Sequence, residues 1–118
     1  MANNGLTKSY FAEAAILPNR FVKPGTADLN MLTAAAATDK IMGVTTEIDA
    51  AIGERVDVGH FGIFDLKLGG AVARGDPLTS DAAGAGVVAV ATNRIGAFAN
   101  ISGVAGDIIP VTLALGVM

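Results

Sequence analysis

A glycine followed by an acidic residue recurs three times, at Gly53-Glu54, Gly75-Asp76 and Gly106-Asp107, each time just ahead of an apolar segment. Glycine accepts positive φ without steric penalty, and an Asp side chain can accept a hydrogen bond from the backbone N–H two residues on, so the step predicts a tight turn feeding a strand. The segments it introduces fit that reading. Arg55-Val56-Asp57-Val58 alternates with period two, as do Phe64, Leu66 and Leu68 against Asp65 and Lys67. Ile109, Val111, Leu113 and Leu115 line one face of a last strand, opposite Pro110 and Thr112. Pro110 has no N–H, which predicts an edge or a bulge there. Residues 87–91 form a continuous apolar run suited to a buried strand.

The chain contains 15 Gly in 118 residues. Each interior Gly costs a helix about 1 kcal/mol relative to Ala, which argues against a helical bundle. Residues 31–38 hold four consecutive Ala, yet the stretch is short and poorly capped, and it reads as a strand end and loop. Residues 46–53 are equally open between helix and loop. The expected fold class is all-β: a small β-barrel or sandwich.

A weak internal repeat supports two halves. Residues 42–58 shifted by 53 positions fall on 95–111 without gaps, with four identities in 17: Gly43/Gly96, Ile48/Ile101, Gly53/Gly106 and Val58/Val111. About one or two would arise by chance at this composition. Val22-x-x-Gly25 also matches Val72-x-x-Gly75 at a shift of 50. The reading is a single β-domain over residues 21–118, with half-repeats near 21–70 and 71–118. Residues 1–20 differ from it, being polar and then apolar up to Pro18, and read as an extended N-terminal arm. Tyr10, Phe11, Ile16 and Leu17 give this arm apolar surface to bury on a partner, and Arg20 adds charge.

Little here composes an active site. There is no Cys, so thiol chemistry and Cys-based zinc sites are excluded. His60 is the one histidine, set in Val58-Gly59-His60-Phe61-Gly62, and reads as a strand or bulge histidine with a satisfied ring. Ser9, Ser80 and Ser102 lack a nucleophile elbow. Gly84-Ala85-Gly86 lacks the Lys-Ser/Thr of a phosphate loop. The three Gly-acid steps open different strands and have no second ligand at metal spacing. The stretch from Val72 to Leu78 is similar to the hairpin of lipoyl and biotinyl carrier domains, but the turn at 79–84 holds no lysine to carry a cofactor. No enzyme, cofactor or metal is expected.

Charge narrows the partners. Residues 1–23 carry a net +2 and residues 24–118 a net −5, from Lys8, Arg20 and Lys23 against Glu13, then five bases against ten acids. No basic stripe exists to neutralise phosphates, so nucleic acid is not an expected partner. No run of 18 apolar residues suggests a membrane span, and the polar N-terminus does not read as a signal peptide. The expectation is a cytosolic protein, or one assembled from the cytosol into something larger.

Several stretches resemble the capsid decoration, or head cement, proteins of tailed bacteriophages. They are Lys8-Ser9-Tyr10, Ala14-Ala15-Ile16 and Arg20-Phe21-Val22-Lys23; Ala37-Thr38-Asp39 with Ile41-Met42-Gly43-Val44; Gly53-Glu54-Arg55-Val56-Asp57-Val58; the run from Gly69 to Asp81; and Ile95-Gly96 followed by Gly106-Asp107-Ile108-Ile109-Pro110-Val111. Their order spans nearly the whole chain, and the run from Gly69 is the most specific. Asn30-Met31-Leu32 and His60-Phe61 match no fixed motif of the family. The resemblance implies a β-tulip-like accessory protein on the outer virion surface, made in the host cytoplasm. It would bind the major capsid protein lattice as a homotrimer at threefold and quasi-threefold positions and stabilise the expanded head. Tyr10, Phe11, Ile16, Leu17 and Arg20 are then the candidate capsid contacts, adding an extended segment to a capsid sheet edge. The alternatives are another phage structural role, in head–tail joining or the tail, and a generic β-barrel protein-binding module.

Overall fold

A computed structural model describes residues 6–46 and 49–117. Residues 1–5 of the expected arm and Ile48 of the repeat lie outside the described residues. Ten strands and no helix are present among them: β1 (Leu6–Ala12), β2 (Phe21–Pro24), β3 (Asn30–Thr33), β4 (Gly43–Thr45), β5 (Arg55–Phe61), β6 (Ile63–Lys67), β7 (Pro77–Ser80), β8 (Gly86–Val88), β9 (Arg94–Ala99) and β10 (Ile108–Val117). Strands β1 to β5 form a closed barrel in the order β1-β3-β2-β4-β5. Strands β6 to β10 form a second sheet in the order β6-β10-β9-β7-β8. A parallel bridge from Leu68 to Gly86 draws its two edges together.

The two sheets share one topology. Adding five to each strand number of the barrel reproduces every neighbour of the second sheet, including the parallel closure (β1 with β3, the end of β6 with β8). Individual hydrogen bonds repeat as well. Ala12 N donates to Glu54 O, and Gly53 N to Ala12 O; in the second half Leu68 N donates to Asp107 O, and Gly106 N to Leu68 O. The reciprocal pair between Ile16 and Ala50 recurs between Val72 and Gly103. The trailing strands thus follow the 53-residue shift seen in the sequence.

Two boundaries move. The chain passes between sheets at Gly62, not near residue 70, so the halves are about 6–61 and 63–117. Val72 corresponds to Ile16, so the 50-residue match of Val22 to Val72 has no structural counterpart. Residues 6–12 of the expected arm are extended, but as β1, paired with β5 on one side and β3 on the other. The barrel needs this strand to close, which is why an apparently separate terminal segment carries apolar residues.

Two cores result. Ala12, Ile16, Val22, Met31, Ala50, Val56 and Val58 fill the first barrel. A larger cluster joins Phe21, Ala34, Ile41 and Val44 of the first half to Phe64, Leu66, Leu78, Ala97, Val111 and others of the second. Adjacent residues Phe21 and Val22 are both fully buried, because Val22 points into its own barrel and Phe21 into the neighbour. Close approach there depends on Gly96, where a Cβ would fall 2.5 Å from the Phe21 ring.

Two strand expectations change. Residues 87–91 are not a buried strand: β8 ends at Val88 on the sheet edge, and Val88 and Val90 are exposed. A bulge between Leu113 and Gly116 turns Leu115 out to solvent, although Ile109, Val111 and Leu113 share the buried face. Pro110 sits where β10 has no ladder partner in β9, whose register starts at Val111.

Candidate functional site

The Gly-acid steps close four-residue turns of one design. The amide of Glu54 donates to Ala51 O, that of Asp76 to Ala73 O and that of Asp107 to Val104 O. Each carboxylate in turn accepts from the amide three residues back: Ala51 N (2.7 Å), Ala73 N (2.9 Å) and Val104 N (3.0 Å). The sequence led us to expect a bond two residues onward; the turn directs it backward. Asn93 copies the device with its side-chain oxygen on Val90 N, and Thr92 occupies the left-handed position at φ 72°. These acids are occupied in shaping loops. Among the described residues no group of three metal-ligating side chains comes together, and no helix is long and apolar enough to cross a membrane.

The five arm residues separate into two roles. Tyr10 lies against the first core, its hydroxyl 2.6 Å from His60 Nε2. His60 Nδ1 is 2.8 Å from Met42 O. A carbonyl only accepts, so Nδ1 carries the proton and Nε2 accepts from Tyr10. His60 is the extra residue of a bulge, where Leu6 pairs with Phe61 and Thr7 with Gly59, and its ring is satisfied. Ile16 is buried. Arg20 spans the halves, donating from Nη1 to Ala83 O across to the β7–β8 turn, while its Nε is buried without a partner. Phe11 and Leu17 are the two that face solvent.

Phe11 belongs to a larger cluster at one end of the first barrel. Its amide donates to Leu29 O (2.9 Å), and its neighbour Ala12 accepts from Gly53 N (2.7 Å), beside Ile52. Leu29 and Ile52 are 55% and 72% exposed. Arg55, paired with Phe11 across the ladder, holds its guanidinium 5.7 Å from the ring. Glu13 stiffens the β2–β3 hairpin, its Oε1 accepting from Thr26 N, Thr26 Oγ1 and Asn30 Nδ2. The Thr26 amide, followed by those side-chain donors, holds the Glu13 carboxyl below its ordinary value against the opposing effect of burial. Asp39 is likewise lowered, first by the Ala35 amide and then by Lys23, 3.3 Å away. Leu29 and Ile52 were not singled out from sequence. For Leu29 the readable signal was an apolar residue at a turn position that Gly84 fills in the second half; for Ile52 it was a large apolar residue where Ala105 stands.

A second feature lies between the halves. Lys40, Ile41 and Met42 face Arg94, Ile95 and Leu115 across a shallow cleft of about 350 Å³. It is open and holds no acid–base or nucleophilic pair.

Fold and surface together define an all-β protein of two tandem five-stranded units, whose polar groups shape turns and whose exposed features are apolar. The sequence model of the phage cement proteins matches residues 2–113, and the chain belongs to that family of phage structural proteins. It is a capsid-associated protein of the virion. No curated protein matches its sequence. Among solved structures, the N base of the head fiber gp8.5 of bacteriophage phi29 superposes with a TM-score of 0.72 at 16% identity, covering 92% of this chain and 93% of that one. At that identity the likeness is one of fold.

Proposed function

We propose that this protein cements the phage head by binding the outer surface of the major capsid protein lattice and stabilising the expanded shell. The family match over residues 2–113 carries the reading. The role proposed is structural and non-catalytic. A homotrimer at threefold and quasi-threefold positions presents three copies of each contact, so individually weak contacts gain avidity. Of the five arm residues, Phe11 and Leu17 are proposed to touch the capsid, because the fold leaves their side chains exposed. β3 pairs with Phe11 and Ala12 alone, so strand addition by β1 is limited to residues 6–10, on the edge that faces away from β5.

Copy number in purified virions, read by quantitative mass spectrometry, tests this. About one copy per major capsid subunit is expected. A number matching a single ring would favour a joining or tail role instead. Absence from virions would leave only a generic binding module.

A further inference from the structure

Leu29 is held in a conformation that glycine fills at five other places among the described residues, and Asn19 and Thr92 at two. Its φ is 66°, in the left-handed region. A bulky L-residue is disfavoured there by the clash of its Cβ with the following carbonyl. The matching position of the β7–β8 hairpin, just before the residue that closes the loop, is Gly84 at φ 78°. Gly53, Gly75 and Gly106 fill the same region in the other turns. Burial gives Leu29 no compensation, because it is mostly exposed. An unfavourable backbone that displays an apolar side chain to water points to a use for that side chain.

The duplicated fold supplies an internal comparison. Ile52 corresponds to Ala105 under the 53-residue shift, and Phe11 corresponds to Lys67. The topology is therefore built in the second half with small or charged residues at these three places. In the first half all three are large and apolar, and they adjoin one another through the backbone bonds at Phe11 and Ala12. The rim is charged. Glu54 accepts from Ala51 N and Glu13 from the hairpin, whereas Arg55 has no ion-pair partner among the described residues; exposed Asp28 stands beside Leu29. Apolar centre, aromatic and arginine follow the composition of a protein-docking patch.

We propose that this tip (Phe11, Leu29 and Ile52, edged by Arg55) is the part of the molecule that enters an apolar depression on the major capsid protein. The inference rests on the cement reading and adds which end meets the shell. Leu29 and Ile52 stand exposed at turns, so the partner surface receives them, and its rim answers both the acids Asp28 and Glu54 and the base Arg55.

The test is co-sedimentation of the full-length protein with expanded shells of the major capsid protein that lack it. Leu29→Gly removes the side chain and relaxes the backbone, so its melting temperature is expected to stay level or rise while shell affinity falls about tenfold or more. Ile52→Ser is expected to lose affinity similarly, and Val90→Ser, exposed on a second-half turn, to bind as the parent does. If the parent binds and both tip variants bind equally well, the tip is overturned and the cement reading stands. If the parent itself does not bind, that reading falls and the tip with it. A change in the mass of the free protein with unchanged shell binding would make the tip a contact between copies and overturn the assignment.

Discussion

Thr92 and Gly106 occupy the same position in two turns of one design, one with a β-branched side chain and one with none. A left-handed L-residue costs roughly 1–2 kcal/mol, and the extra chain freedom of Gly offsets up to about 1 of it. Thr92→Gly is expected to raise stability by up to about 1 kcal/mol, and Gly106→Ala, which meets no neighbouring atom, to lower it by about the same. Thermal melts of the pair should shift in opposite directions. Tyr10→Phe removes the hydroxyl that His60 Nε2 accepts and is expected to cost about 1 kcal/mol. His60 read correctly from sequence as a satisfied ring. Its partner did not, because Tyr10 and His60 are 50 residues apart and the intervening bulge has no sequence mark.

At the scale of elements, the β2–β3 hairpin is tied to the chain before it by one carboxylate. Glu13 is lowered in the folded state, so its contribution is fully present above the unfolded value of about 4.3 and is lost as pH falls through the lower folded value. Asp39 acts the same way from about 3.9 downward. Denaturation curves should show stability falling with acidification in that window. Glu13→Gln should flatten the fall and lower stability near neutral pH; an unchanged slope would remove Glu13 from the account. The strands legible in sequence were those with one wet face, such as β5 and β6, where alternation survives. β4 is buried on both faces and shows no period, and the run at 87–91 looked buried because apolarity alone cannot tell an interior strand from an exposed edge. Of the proposed contacts, Phe11 and Leu17 were singled out in the sequence as apolar residues of the segment ahead of Pro18. Leu29 and Ile52 became visible only once the turns could be compared in space.

For the whole molecule, the shared cluster around Phe21 makes the halves mutually dependent. Phe21→Ala is expected to cost about 3–5 kcal/mol, as for a fully buried Phe, and to weaken both sheets. Tyr10 is the one tyrosine and lies in the first barrel. Its fluorescence and the far-ultraviolet dichroism of all ten strands should therefore report one coincident unfolding transition. Separate midpoints would show that the barrels fold alone. The duplication itself was legible at 53 residues because trailing strands and turns kept that spacing. It was obscured in the leading strands, where the structural shift is 56 residues and residue identities have diverged.

A chain carrying the same strand plan twice faces a sorting problem while it folds, since each leading strand has two trailing strands it could zip onto. The registers resolve it. In the correct ladders Ser9 faces Asp57 and Phe11 faces Arg55, while Asp65 faces Pro110 and Lys67 faces Ile108. Exchanging partners at the same registers would set Asp65 opposite Asp57 and Lys67 opposite Arg55, like charge against like at two places along one ladder. The substitutions that blurred the repeat in the sequence thus discourage each half from borrowing the other's strand, whether within one chain or between chains crowded together during assembly.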